Sequence, residues 1–216
     1  LTLVGPVRVD HWGVCVTTPE VSENRAVVAC TTTVVNDGEA DSDIEVCQTL
    51  LASDGAAVAI ASANAHVRAA TLSDRSRRES VDLRLSVPEP RLWSPDDPHL
   101  YSLRTELRQN GTVIDRYDTP CGIRSIRFDA DHGFLLNDRS IKLRGVNEHH
   151  DAGCLGAAVP DDVIRRRFAI LKDMGCNAIR VAHNPASPAF LDLCDEMGFM
   201  VVEDAFDEWR DGKSPF

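Results

Sequence analysis

The first half of the chain shows the alternation of apolar and polar residues that is typical of half-buried β-strands. Residues 25–35 are rich in β-branched side chains and stop at the turn sequence Asn36–Asp37–Gly38. Further segments of this kind occupy residues 44–51, 80–87, 100–109 and 112–117, and turn residues separate them. Short strands at this spacing predict an immunoglobulin-like β-sandwich domain over residues 1–123.

A hairpin is predicted immediately after this domain. Residues 134–136 and 141–143 are apolar, and the turn residues Asn137 and Asp138 lie between them. We expect these two segments to pair as antiparallel strands. The second of them also begins residues 141–151, a β-like segment that ends in histidines and a carboxylate.

Helical periodicity begins at residue 161. Apolar side chains recur at Ile164, Phe168 and Leu171, two aspartates stand at the predicted N-terminus, and Gly175 supplies the stop. A second helix is predicted from Ser187–Pro188 to Gly198. Because a short apolar segment follows each helix, residues 124–216 predict a parallel βαβαβ series.

The parallel series is too short for a closed barrel. Eight βα units need about 250 residues, and the part of the chain after residue 123 is less than half that length. We therefore expect the first three βα units of a (β/α)8 TIM barrel in residues 124–216.

Polar residues gather where each predicted parallel strand ends. The residues of this group are His149, His150 and Asp151, then Arg180, His183 and Asn184, and finally Glu203, Asp204, Asp207, Glu208 and Trp209. Ligands bind at the carboxyl ends of strands in βα architectures. Imidazoles and carboxylates beside a tryptophan suit a sugar, because they offer hydrogen bonds to hydroxyl groups and a flat apolar ring. In the alternative interpretation, Arg180 only pairs with a carboxylate such as Asp204, and the histidines bond to backbone carbonyl groups.

Composition narrows the class of protein. A formal net charge of -11 and a pI near 5.0 argue against nucleic acid as the main partner. No segment approaches the roughly 18 apolar residues of a membrane helix, and no glycine-rich phosphate loop follows a strand. Seven cysteines without a CxxC pair favour reduced thiols, and hence a cytoplasmic protein. One disulfide between Cys30 and Cys47 remains an open alternative.

Two other functions use the same residues differently. A metal-dependent hydrolase would present ligands at alternate positions on one face of a strand, whereas His149 and His150 are adjacent and point to opposite faces. We therefore predict no metal site. A non-catalytic alternative is a scaffold or carbohydrate-binding module, in which the sandwich could pack subunits together in a homo-oligomer.

Five ordered motifs carry a family resemblance. They are GIRSIRF at residues 122–128, GFLLN at 133–137, LRGVNEHHD at 143–151, NAIRVAHNP at 177–185 and LCDEMGF at 193–199. Together they resemble glycoside hydrolase family 2, and the pattern is closest to its β-galactosidases. The sandwich resembles the family's immunoglobulin-like middle domain, and the later motifs resemble its first three barrel strands.

The resemblance implies a retaining hydrolase that cleaves a β-galactoside or a related β-linked sugar with two glutamates and no cofactor. In the family the acid/base glutamate follows the fourth strand and the nucleophile lies near the seventh. Both are therefore expected beyond Phe216. The 216 residues alone are then expected to be inactive. By similarity, His149 and His183 would bond to sugar hydroxyls, and Arg180 would orient the nucleophile. The resemblance further implies substrate contacts from Asp151, Asp207 and Trp209.

The sequence departs from the family pattern at two points. The third strand usually ends in Asp-Glu-Ala, but here the order is Glu203-Asp204-Ala205. The inward carboxylate, Asp204, is then one methylene shorter than usual. Family members also usually begin with a jelly-roll domain, for which residues before the sandwich leave no room.

Overall fold

The computed structural model describes residues 3–71 and 77–205, which form two compact units. The first unit contains the described residues up to Leu92 together with Leu100–Ser125. The second contains Trp93–His99 and the described residues from Ile126 onward. The division at residues 123 and 124 stays a prediction about domains, and the assignment of Trp93–His99 was not anticipated.

In its described residues, the first unit contains seven antiparallel strands. They are β1 (Val7–Val21), β2 (Arg25–Asn36), β3 (Ser42–Leu51), β4 (Ala57–Val67), β5 (Arg77–Pro88), β6 (Tyr101–Gln109) and β7 (Thr112–Cys121). They form one sheet in the order β1-β2-β5 and another in the order β4-β3-β6-β7. Five of these strands were predicted, while β1 and β4 were not.

Strand β1 is interrupted by a bulge. Its pairing with β2 shifts register between Val9 and Val14, and Trp12 inside this interval has a φ of 54°. A Cβ on Gly13 would lie 2.8 Å from the carbonyl oxygens of Asp10 and Thr33. Only glycine fits there, because no real side chain tolerates such a contact. The break in alternation explains why the periodicity does not reveal this strand.

A polar layer crosses the apolar core of the first unit. Thr32, Gln48 and Thr105 are fully buried on β2, β3 and β6. Gln48 Nε2 donates to Thr32 Oγ1 at 2.7 Å, and Thr105 Oγ1 donates to Gln48 Oε1 at 3.1 Å. The layer separates two apolar clusters. The inward residues on one side of it, Cys30, Leu50 and Leu103, belong to the first cluster, and those on the other side, Val34, Val46 and Leu107, belong to the second. Burial of apolar residues alone would not fix the register of these three strands. The hydrogen bonds between Thr32, Gln48 and Thr105 supply that constraint.

All seven cysteines are free. Cys30 and Cys47 are both buried thiols, so the open alternative of a disulfide between them is not realised. Burial raises the pKa of the Cys30 thiol and raises that of Cys194 to about 12. These two cysteines thus behave as small core residues, because the reactive thiolate is strongly disfavoured.

As far as residue 205, the second unit combines a three-stranded antiparallel sheet with a three-stranded parallel sheet. Its elements are β8 (Ile126–Asp129), β9 (Gly133–Leu136), β10 (Arg139–Ser140), β11 (Gly145–Glu148), a 3-10 turn (Gly153–Leu155), α1 (Asp161–Asp173), β12 (Ala178–Val181), α2 (Pro188–Met197) and β13 (Met200–Glu203). Strands β11, β12 and β13 are parallel and adjacent in that order. The predicted βαβαβ series is confirmed.

The predicted hairpin is wrong in its second strand. Residues 141–143 are not a strand, because pairing with β9 already resumes at Arg139 and Ser140. Asn137 and Asp138 both adopt positive φ, at 51° and 60°. Two such residues make a tight turn of two positions, which brings the chain back sooner than the apolar pattern suggested.

The helices begin and end as the sequence predicted. Ser187 caps α2 by accepting a hydrogen bond from Phe190 N, and Gly198 ends it in the left-handed region with a φ of 76°. Both helices contribute to one apolar cluster with the parallel strands, centred on Phe168 and Ile179. They therefore cover one face of the parallel sheet. Within residues 3–71 and 77–205, neither helix is long and apolar enough to cross a membrane.

The segment Trp93–His99 is bonded into the second unit. Trp93 is 1% exposed, and its Nε1 donates to the carbonyl of Asp195 at 2.8 Å. Lys172 Nζ donates at 2.8 Å to the carbonyls of both Pro95 and Gly198. Burial lowers the pKa of Lys172. A Cβ on Gly198 would lie 2.5 Å from the Pro95 oxygen, so this close approach requires glycine.

The polar layer makes a prediction about stability. Thr105→Val keeps the branched shape but leaves Gln48 Oε1 buried without its donor, so we expect the free energy of unfolding to fall by about 1–3 kcal/mol. Thr31→Val is the matched control, because Thr31 bonds to Asp82 on the opposite, solvent-facing side of β2. Its effect should stay within about 0.5 kcal/mol. Urea denaturation followed by circular dichroism measures both, and equal losses would contradict a stabilising layer.

Candidate sugar-binding site

Parallel pairing brings the three strand ends to one edge of the sheet. Asn147 lies beside Arg180, and Arg180 beside Val202. One position later Glu148, Val181 and Glu203 form the next row. The residues that follow each strand, including His149, His183 and Asp204, therefore start from the same edge.

The period of two divides the side chains between the two faces of this sheet. Val146, Ile179 and Val201 lie on the face that packs against the helices. Arg180 and Val202 alternate with them and lie on the opposite face. Since Asp204 bonds to Arg180, its carboxylate also belongs to this face. Because neither helix of the described residues packs on it, we call it the helix-free face.

Four of the predicted site residues meet on the helix-free face. Arg180 donates from its guanidinium to Asp204 Oδ2, and His183 Nδ1 lies 3.6 Å from the same oxygen. The rings of His149 and His183 meet edge to face, with centroids 5.5 Å apart. The peptide bond between Ala182 and His183 is cis. Arg180 is thus charge-paired, as the alternative interpretation anticipated, while both imidazoles stay beside it at the same edge.

This cluster is open to a ligand from solvent. The side chains of Arg180 and His183 are 41% and 43% exposed, and that of Asp204 is 23% exposed. Imidazole nitrogens and carboxylate oxygens offer both donors and acceptors, which a sugar hydroxyl can use in either direction. The arrangement can therefore bind a polyhydroxylated ligand.

The other predicted site residues are placed differently. Asp151 is exposed, and its backbone carbonyl accepts a hydrogen bond from Arg167 at 2.6 Å. Asp207 and Trp209 lie outside the described residues. Substrate binding by His149, Asp151, Arg180, His183, Asp204, Asp207 and Trp209 stays a prediction.

Sequence reasoning missed the contacts that hold the strand-end loops. Arg167 of α1 pairs with Glu148 at 3.1 Å. The Glu203 carboxylate accepts a hydrogen bond from Ala186 N at 2.7 Å. Arg167 stands in a run of three arginines, and its sequence offers no signal that distinguishes it from its neighbours.

Among the side chains in residues 3–71 and 77–205, no group of three His, Cys, Asp or Glu is arranged to hold a metal ion. The first unit has its own open concavity of about 640 Å³ on β3, β4 and the β6–β7 turn. There His66 Nδ1 lies 2.7 Å from Asp43, and Arg108 pairs with Glu106 at 2.6 Å. The hydrogen bond to Asp43 raises the pKa of His66. Because His66 and Arg108 already have carboxylate partners, we assign the concavity no ligand.

Known proteins are similar to this chain over almost its whole length. The family described as "Glycosyl hydrolases family 2" matches residues 8–124, and its TIM barrel domain matches residues 129–209. The β-galactosidase BoGH2A of Bacteroides ovatus is 44% identical over 214 residues, which is 99% of this chain and 24% of that protein. These matches confirm the predicted fold class of an immunoglobulin-like sandwich followed by the start of a TIM barrel.

Solved structures of similar proteins have the same fold as this chain. A glycosyl hydrolase family 2 member from Bacteroides cellulosilyticus is 35% identical with a TM-score of 0.90, over 99% of this chain and 27% of that one. A Bacteroides uniformis β-glucuronidase is 31% identical with a TM-score of 0.84, over 94% of this chain and 24% of that one. The chain therefore spans about a quarter of the length of these relatives.

A double-mutant cycle tests the ion pair at the centre of the cluster. Arg180→Met and Asp204→Asn should show a coupling energy of about 1 kcal/mol, because the Asp204 side chain is less exposed, at 23%, than either partner of the control pair. The control cycle uses Arg165→Met and Glu196→Gln, a pair at 2.8 Å whose side chains are about half exposed. Its coupling should stay below about 0.5 kcal/mol in chemical denaturation. Equal couplings would show that the central pair is an ordinary surface contact.

Proposed function

Since the chain belongs to glycosyl hydrolase family 2, we propose that it is part of a retaining β-glycosidase that removes terminal β-linked galactose. The observation that carries the proposal is the cluster of His149, His183, Arg180 and Asp204 at the carboxyl edge of the parallel strands. In barrel enzymes this edge is where the substrate binds. The cluster forms one wall of the sugar pocket.

Retaining hydrolysis needs two carboxyl groups about 5–5.5 Å apart, one as acid and base and the other as nucleophile. Three strand-end carboxylates of the described residues have other partners. Asp204 pairs with Arg180, Glu148 pairs with Arg167, and Glu203 accepts from a backbone amide. In our proposal, both catalytic glutamates belong to sequence beyond Phe216.

The residues of this chain then bind and orient. His149 and His183 hydrogen-bond to sugar hydroxyls from two neighbouring strands, so their positions select which hydroxyls are reached. Arg180 divides its donors between Asp204 and the nucleophile, and its positive charge keeps that nucleophile ionised. Asp204 in turn limits how much charge Arg180 places on the nucleophile.

The charge balance of the site supports a neutral sugar. A glucuronide carries a carboxylate, which an enzyme binds best with an arginine or lysine. Near the described strand ends, Arg180 of β12 is already paired with Asp204, and Arg167 of α1 is paired with Glu148. This pattern favours galactose over glucuronic acid, although relatives of both kinds are similar to the chain.

Kinetics on the full-length gene product test the proposal. We expect nitrophenyl β-galactoside to be hydrolysed at a higher kcat/KM than nitrophenyl β-glucuronide. His149→Ala and His183→Ala should each lower kcat/KM for the galactoside by about 10- to 100-fold, because each removes a hydrogen bond to the sugar. His66→Ala in the first unit is the control and should leave kcat/KM unchanged.

Two results would contradict this assignment. A preference for the glucuronide would overturn the choice of sugar. Turnover by the purified 216-residue chain that survives Glu203→Gln together with Glu208→Gln would show that the catalytic carboxyl groups are misplaced here.

A further inference from the structure

Two of the three parallel strands end in a glutamate that does not face the cluster. Glu148 is the last residue of β11, and Glu203 is the last residue of β13. Both alternate with the side chains of the helix-free face, so they point toward the helices. Neither is among the sugar contacts, and each has a specific polar partner.

Glu148 ties the first strand-end loop to α1. Its carboxylate lies 3.1 Å from Arg167 Nη1, and the two side chains are only 14% and 29% exposed. The other terminal nitrogen of Arg167 donates to the carbonyl of Asp151 at 2.6 Å. One guanidinium therefore holds both ends of the segment that carries His149.

Glu203 ties the second strand-end loop. Its Oε1 accepts from Ala186 N at 2.7 Å, immediately before Ser187, the N-cap of α2. The start of this loop is also fixed, because Ala182 N donates to the Glu148 carbonyl at 3.0 Å. His183 thus lies between two anchored backbone amides.

We propose that Glu148 and Glu203 are positioning residues, which fasten the loops that carry His149 and His183 without touching the substrate. The inference rests on the proposed function, since the imidazoles are positioned for a sugar. A loop that is already ordered loses less conformational entropy when the ligand binds. A binding group that is displaced by a small distance loses much of its contribution to the reaction rate. The two tethers therefore act on the site through its geometry.

The tether also accounts for the reversed order of the acids at residues 203 and 204. Glu203 must cross from β13 to the loop after β12, which suits the longer carboxylate. Asp204 receives the long side chain of Arg180, so a short carboxylate is enough. The departure from the usual family order thus matches two different tasks.

The test compares Glu203→Ala with Glu203→Gln in the full-length gene product. Glutamine keeps an oxygen that can accept from Ala186 N, whereas alanine keeps none. Hydrogen exchange measured by mass spectrometry should be at least about tenfold faster in the peptide over residues 183–187 for Glu203→Ala, and near that of the parent for Glu203→Gln. Arg167→Met should accelerate exchange over residues 148–151 in the same way.

Kinetics separate positioning from mere stability. Glu203→Ala and Arg167→Met should lower kcat/KM for the β-galactoside by about 10- to 100-fold in protein whose thermal unfolding shows it to be folded. Glu203→Gln should retain it within about threefold. Glu196→Ala removes a surface carboxylate of α2 and is the matched control, with neither exchange nor kcat/KM changed.

Several outcomes would overturn the inference. Unchanged hydrogen exchange in Glu203→Ala would show that Glu203 does not hold the loop. Faster exchange with unchanged kcat/KM would show that it holds the loop without positioning the sugar-binding groups. Equal kinetic damage from Glu203→Gln and Glu203→Ala would mean that the charge itself acts in the reaction. If the parent protein hydrolyses no β-glycoside, the proposed function fails, while the exchange measurements still decide whether the tethers exist.

Discussion

The in-register pairing of the three parallel strands is the constraint on which the site depends. It requires a very close approach at its first residue, since a Cβ on Gly145 would lie 2.1 Å from the carbonyl oxygen of Ala178. A shift of β12 by one residue would exchange Arg180 and Val181 between the faces. The charge that now lies on the helix-free face would then be directed into the apolar cluster around Ile179.

This register also sorts the charged groups by task. On the helix-free face, Arg180 and Asp204 neutralise each other beside two imidazoles. On the helix side, Glu148 pairs with Arg167 of α1, and Glu203 accepts a hydrogen bond from the backbone of Ala186. Groups that hold the loops and groups that meet the ligand are thus separated by the thickness of one strand.

Elements that depend on local signals could be predicted from the sequence, whereas contacts between residues distant in sequence could not. Helices α1 and α2 were predicted because their periodicity, the cap at Ser187 and the glycines that stop them are local signals. Strand β4 was missed because its alternating positions are mostly alanine and carry little contrast. The four-residue cluster was found because all three strands end together. The Arg167 and Ala186 contacts were not, since they join residues that are distant in sequence.

The burial of Trp93 has a consequence for how such a protein can change over generations. This tryptophan is encoded in the middle of the sandwich sequence, yet it packs in the second unit and bonds to Asp195 there. A recombination event that joined residues 124–216 to a different sandwich would leave a gap the size of an indole. The two parts are therefore expected to pass to descendants as a linked pair, unless the new neighbour brings an equivalent aromatic loop.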